Sequence, residues 1–354
     1  MKHSSVDILL QNPVSFLDNA VPADNDIAIS SRIRLARNLK DFPFPTSASD
    51  EILQRSCDTV LQAAVAADVF GGVNMLVFDP SEMESADRDI LLERRLASKE
   101  FIQSRHPRLL LVDPDEENSL MINEEDTLRI QAIKPGLQLH AVWRQINRID
   151  NELGKQLQFA FDEQFGYLTS CPTNVGTGMR ASVMLHLPGL VMTGQIGPTI
   201  HGIGKLHLAV RGIFGEGSEN SGNFFQISNQ STLGEGELKI IDELESVIRQ
   251  IIQQEKNARR KLLNNDRFTV LDQAGRAYGV LRYSYKLGFE ETLQLLSGLR
   301  IGVDMGLFQN IDIKKINDLF IETAPAHMQK RHPGAVPEEL DICRAALCRE
   351  KLRG

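Results

Sequence analysis

Hydrophobic and polar positions alternate in short bursts along the first two thirds of the chain. Ile27 to Ile33, Leu109 to Val112, Leu128 to Ile133, Ser182 to Leu187, Leu206 to Arg211 and Phe224 to Ile227 each read as a strand. Turn residues separate them, which predicts a mostly antiparallel sheet. Two stretches between the strands, Ser49 to Ala67 and Ala141 to Phe159, read as helices. After Gly236 the period changes. Leu238, Ile241, Leu244, Ile248 and Ile251 step by three and four, and Lys256, Arg259, Arg260 and Lys261 gather at the far end, where a helix dipole favours cations. The pattern stays helical to Gly354, with a last helix opening at Pro337 and carrying Glu338 and Glu339 in its first turn. The expected fold is therefore α+β. An antiparallel β-sheet flanked by helices occupies residues 1–232, a long amphipathic helix or linker residues 233–264, and an all-α C-terminal domain residues 265–354.

Composition narrows the function classes. A chain of 354 residues, 42% of them hydrophobic, can bury a large core and form more than one domain. Its net charge of -8 argues against sequence-independent nucleic-acid binding, which needs a surplus of cations facing phosphates. No run approaches about 18 apolar residues, the length that spans a membrane. The apolar stretch at the N-terminus is too short for a signal peptide, so a cytoplasmic protein is expected. Cys57, Cys171, Cys343 and Cys348 have no metal-ligand spacing, which leaves neither a disulfide framework nor a zinc site in view. A phosphate-binding P-loop is excluded as well, because Thr199 stands where the glycine upstream of Gly204 and Lys205 would have to be.

Four segments carry chemistry. In SSRIRLARN, Arg32 and Arg34 are two apart and share one strand face, toward a common anion or toward solvent as a basic patch. In SLMINEEDTLRIQ, Leu120, Ile122, Leu128 and Ile130 hold one parity, while Asn123, Glu125, Thr127 and Arg129 hold the other. That pattern suits a charge-balanced site and equally an exposed acidic turn. In CPTNVGTGMRASV, Pro172 fixes the loop after Cys171, and Gly176 and Gly178 let the backbone approach a ligand. Arg180 then opens a segment in which Arg180, Ser182, Met184 and His186 face one way. In HLAVRGIFGEGSE, Leu208 and Val210, with Leu206 just before, form the buried parity. Arg211 leaves from the opposite face, ahead of a glycine-rich loop with Glu216.

These runs, in this order, resemble the ATP:guanidino phosphotransferase (phosphagen kinase) family over about residues 25 to 230, and most nearly its bacterial protein-arginine kinase branch. Residues from about 235 to 354, including LLSGLRIGVDMGLF, are similar to the helical domain of that branch. The resemblance implies ATP with Mg²⁺ held by phosphate oxygens and water, and no metal ligand from the protein. It implies that Arg32, Arg34, Arg129, Arg180 and Arg211 face the phosphates, with Arg95 on the nucleotide side. Glu125 and Glu216 would grip the acceptor guanidinium, Glu125 as the base, with Cys171 beside it. The implied partners are protein substrates with exposed arginines, an activator protein, a Clp-type protease system and a second copy of the chain in a homodimer. Small-molecule members carry a helical domain ahead of the SSRIR-type segment, whereas 29 residues precede Ser30 here, so a protein acceptor is expected. A small-molecule guanidino kinase, or a weakly active adaptor working through the helical domain, are the competing readings. Three positions depart from the family pattern. Thr127 and Arg95 stand where histidines are usual, and Leu340 replaces the first arginine of an RDxxRA motif that keeps Asp341 and Arg344.

Overall fold

The computed structural model describes residues 3–17, 26–212, 221–308 and 310–353. Among them run ten strands: β1 (Ala28–Arg37), β2 (Leu76–Phe78), β3 (Leu109–Val112), β4 (Asn118–Ile122), β5 (Leu128–Pro135), β6 (Phe161–Asp162), β7 (Gly166–Tyr167), β8 (Met179–His186), β9 (Leu208–Gly212) and β10 (Phe224–Asn229). Eight of them hydrogen-bond in the order β2-β3-β4-β5-β1-β8-β10-β9, while β6 and β7 form a separate hairpin. The pairs β2-β3, β3-β4, β4-β5 and β5-β1 are antiparallel, as the alternation implied. The helices are α1 (Asp7–Leu10), α2 (Asp50–Ala66), α3 (Ser85–Glu93), α4 (Lys99–Gln103), α5 (Leu139–Gln156), α6 (Pro188–Met192), α7 (Ile196–Gly204), α8 (Glu237–Asn265), α9 (Arg267–Tyr283), α10 (Phe289–Asp304), α11 (Ile313–Glu322), α12 (Pro325–Arg331) and α13 (Pro337–Lys351).

The chain folds into two compact units that interleave along the sequence. The first comprises Met1–Phe16, Ser30–Val183 and Ser228–Glu245; the second comprises Leu17–Ile29, Met184–Ile227 and Ser246–Gly354. In the first unit, α2 begins where Ser49 accepts a hydrogen bond from the Ile52 amide, and it buries Leu53, Cys57, Val60 and Ala64. Helix α5 buries Leu139, Val142, Ile146, Ile149 and Leu153 against the sheet that contains β5. On β8, Ser182 is as buried as its apolar neighbours Ala181 and Val183.

The core of the second unit gathers Leu293, Leu296, Leu299, Ile316, Leu319 and Phe320 with Ile29, Met184 and Phe224, which come from strands. The helical tail thus packs on strand residues far upstream in sequence. The α8 stripe is buried at Ile241, Leu244, Ile248 and Ile251 but not at Leu238, which is 56% exposed in the first turn. Leu206 also departs from the expected parity. It is 56% exposed because it lies in the turn that ends α7, before β9 begins at Leu208. No helix among the described residues is long and apolar enough to cross a membrane.

Candidate active site

Strand parity builds the site. On β1, Ile33 and Leu35 are fully buried on one face, so Arg32 and Arg34 emerge together on the other. The antiparallel register places Arg34 opposite Gln131 and Ala36 opposite Arg129, which brings Arg129 of β5 onto the same face. Arg180 enters from β8, the neighbour of β1 on its other side.

The electrostatics show how closely these cations crowd. Burial first, then the charges of Arg129 and Arg180, pushes the Arg32 guanidinium down to about 10. Arg34 falls well below its ordinary value through burial, Arg32, Arg129 and Arg180. Arg95 is brought to about 9 by burial and by the charge of Arg32. A guanidinium keeps its proton at neutral pH regardless. The depression reflects desolvation first and the neighbouring positive charges second, both of which an anion would relieve. The Nε of Arg34 is buried without a hydrogen-bond partner, so the cluster carries an unmet donor.

Arg95 reaches this cluster from the end of α3 by adopting a left-handed backbone, φ 62°. Its carbonyl accepts from Gln131 Nε2 at 2.8 Å and its guanidinium lies over Phe16, 4.9 Å from the ring centre. Thr127, the other departure from the family pattern, is buried; its hydroxyl and its amide both donate to Asn38 Oδ1, at 3.0 and 2.8 Å.

Glu124, which the sequence reading passed over for Glu125, positions Arg129. Its Oε2 accepts from Arg129 Nη1 at 2.6 Å and its Oε1 from Ser98 at 2.6 Å. Burial opposes ionisation of Glu124, but Arg129 and these hydrogen bonds outweigh it and hold the carboxyl below its ordinary range. Glu125 itself is exposed and behaves oppositely. Desolvation, then Asp126 and Glu124, raise its carboxyl.

The Glu125 backbone is tied to the Cys171 loop through Ser170. The Ser170 hydroxyl donates to the Glu125 carbonyl at 2.7 Å, and its amide donates to Asp126 Oδ1 at 2.7 Å. Asp126 is in turn fixed by Asn38 Nδ2 at 2.7 Å. Half-buried Cys171 follows directly, with its Sγ 3.0 Å from the Thr173 hydroxyl.

The glycines of the Cys171 loop have a different purpose from the one expected. They admit the protein's own backbone rather than a ligand. Gly176 sits at φ 111°, and a Cβ there would stand 2.2 Å from the Thr232 carbonyl; at Gly178, φ 62°, it would stand 2.6 Å from the Ala36 carbonyl. Gly176→Ala is expected to lower stability by about 2–3 kcal/mol, from left-handed strain and the clash, as measured by urea unfolding.

Arg211 lies on β9 in the second unit and is half-buried. Glu216 falls outside the described residues. Arg344 of α13 is buried. It donates to the carbonyls of Thr323 and Leu287, both at 2.8 Å, and pairs with Asp341 at 2.5 Å, while Leu340 joins the core of its unit. That arrangement is a packed helix. Among the described residues, the group spaced to hold a metal is His3, Asp79 and Glu82, and none of the carboxylates of the arginine cluster belongs to it.

Residues 60–258 match the model of the ATP:guanido phosphotransferase C-terminal catalytic domain, and residues 267–354 match that of the protein-arginine kinase McsB C-terminal domain. The chain is 44% identical over 331 residues to the protein-arginine kinase of Moorella thermoacetica, covering 93% of this chain and 95% of that one. It is 45% identical over 336 residues to that of Symbiobacterium thermophilum, covering 92% and 93%. Among solved structures it resembles the duplicated taurocyamine kinase of Schistosoma mansoni, with TM-score 0.59 and 26% identity, over 67% of this chain and 34% of that one.

Proposed function

Because this chain belongs to the ATP:guanido phosphotransferase family and, within it, is a relative of the protein-arginine kinases, we propose that it transfers the γ-phosphoryl group of ATP to the guanidinium of arginine side chains in proteins. The observation that carries the reading is the shared strand face of Arg32, Arg34 and Arg129, with the buried, unmet Nε of Arg34 on it and Arg180 on the neighbouring strand. ATP brings about four negative charges, and phosphoryl transfer depends on positioning and on cations around the transferred group. The cluster matches that load. Mg²⁺ would be held by phosphate oxygens and water, screening the phosphates, since the cluster's carboxylates are committed elsewhere.

Glu125 is assigned to the acceptor guanidinium, whose planar fork of N–H donors fits a carboxylate bidentately. The N–P bond forms as the bond from the γ-phosphorus to the bridging oxygen breaks, and ADP leaves. The proton lost by nitrogen goes to Glu125. A carboxyl with pKa about 4 cannot strip a free guanidinium of pKa about 13; the gap is roughly 12 kcal/mol, so proton transfer accompanies or follows N–P bond formation. The raised carboxyl of Glu125 narrows that gap. Glu216 is assigned as the second grip, Arg211 as a further phosphate contact and Cys171 as a neighbour of the guanidinium.

The proposal keeps residues 1–232 as the catalytic part, 233–264 as the connecting helix and 265–354 as the regulatory part. It also keeps an activator protein, a Clp-type protease system and a homodimer as partners. The α8 stripe lends the homodimer no support, since most of it is buried within the chain. The test is incubation with Mg-ATP and an arginine-rich protein, followed by phosphate mapping without acid. Label on protein arginine is the expected result. Label on serine, or on free arginine only, would overturn it.

A further inference from the structure

We infer that the β6-β7 hairpin is a docking platform for the polypeptide that carries the acceptor arginine, holding apolar residues of that polypeptide on Phe161, Phe165 and Leu233. The inference rests on the protein-arginine kinase reading and deepens it by naming how a protein is held. Phe161 is 58%, Phe165 47% and Leu233 52% exposed. Isolated exposed apolar side chains are ordinary, but Phe161 and Phe165 share one short hairpin, and Leu233 meets Gly176, which is bonded to that hairpin at Tyr167. Phe161 pairs with Tyr167 across the hairpin. Tyr167 exchanges backbone hydrogen bonds with Gly176, at 2.8 and 3.3 Å, and the space a Gly176 side chain would need is taken by Thr232 and Leu233. Phe161 thus adjoins the Tyr167 member of the Tyr167–Gly176 pair and Leu233 the Gly176 member.

The platform is rigid from beneath. The Arg37 guanidinium lies 3.4 Å from the centre of the Tyr167 ring, and Phe161 packs edge-on against Tyr167 at 5.2 Å. At the tip, the amides of Gln164 and Phe165 donate to Asp162 Oδ1 at 2.8 and 3.0 Å. Aromatic groups fixed in place yet left in water bind at little cost in conformational entropy.

Two observations choose the occupant. The first is continuity with the site. Tyr167 is four residues from Cys171, so their Cα atoms are at most about 14 Å apart, and Ser170 between them is bonded to Glu125. An extended peptide covers that distance and the step across the hairpin in at most about six residues. The second is charge. Exposed Glu163 lies between Phe161 and Phe165, beside the hairpin carboxylate Asp162, so the platform presents carboxylates to a segment that is basic by its arginine. A basic segment with an apolar residue within about six positions of the arginine fits both features.

The test compares the wild-type chain with the Phe161→Ser, Phe165→Ser double variant, using Mg-ATP and two acceptors: a protein and an arginine-containing tripeptide too short to reach the hairpin. The double variant is expected to raise KM for the protein acceptor about tenfold, with kcat little changed, and to leave the tripeptide kcat/KM unaltered. Glu163→Lys, checked alongside, is expected to weaken basic acceptors more than neutral ones. An unchanged KM for protein, or an equal loss on the tripeptide, would overturn the platform. So would a fall in the sedimenting mass of the chain without a kinetic change, which would give the face to a second copy. If the wild type labels no arginine on either acceptor, the enzymatic reading falls and this inference with it. If it labels arginine and the double variant matches it, only the platform falls.

Discussion

Glu125→Gln is expected to lower kcat by about 10²–10⁴-fold, the range for loss of a positioned general base, while leaving ATP affinity nearly unchanged. The separation follows from the roles assigned to the two groups. Glu125 is the residue assigned to the acceptor, and its backbone is tied to the Cys171 loop, whereas the cations assigned to the phosphates include Arg32 and Arg34 on one face of β1. Glu124→Gln, which releases Arg129, should instead raise KM for ATP as well as lower kcat. Isosteric glutamine keeps the shape of either side chain and removes its charge.

A pH profile supplies a second readout for Glu125. The base must be ionised to act, and its carboxyl is raised by desolvation, Asp126 and Glu124. Activity is therefore full above that raised value and is lost as pH falls through it, so the acid limb lies above the ordinary range for a glutamate. ADP formation must be followed, because the product phosphoramidate is acid-labile. In Glu125→Gln this limb disappears. A limb that survives the substitution would assign the base elsewhere. An adaptor acting only through its helices would be indifferent to both glutamates.

How much of this was legible beforehand depends on whether the signal was local. Parity along one strand is local, so Arg32 and Arg34 were readable as a shared face, and α2 and α5 lie within two or three residues of their expected ends. Glu124 was not readable. Strand parity favoured Glu125, but the connection from Asn123 to Thr127 leaves the strand at a left-handed Asn123, φ 62°, so alternation no longer decides which carboxylate meets Arg129. Gly176 and Gly178 were recognised as positions of close approach. What approaches them comes from Thr232 and Ala36, more than fifty and more than a hundred residues away in sequence, and no local pattern announces it. The interleaving of the two units was hidden for the same reason: Ile29, Met184 and Phe224 each sit in runs that read simply as strand.

The third arginine of SSRIRLARN makes the sharpest structural prediction. Arg37 lies three residues beyond Arg34, so it points to the opposite face of β1, and there it is 1% exposed. Its Nε and Nη2 meet the two carboxylate oxygens of Asp150 at 3.0 and 2.8 Å, while Nη1 donates to the carbonyls of Ala36 and Thr177. One side chain thus ties β1 to α5 and to the glycine loop ahead of Arg180. Arg37→Ala strands a buried carboxylate and two carbonyls, and is expected to cost about 3–5 kcal/mol in urea unfolding. Replacing the pair together, Arg37→Met with Asp150→Leu, removes both charges and should recover most of that loss, because a buried ion pair gains little over apolar packing. The double replacement should still raise KM for protein acceptors, since Tyr167 loses the guanidinium beneath it and the hairpin its support. Recovery of stability without recovery of that KM would separate the two duties of Arg37; recovery of both would leave it a purely structural residue.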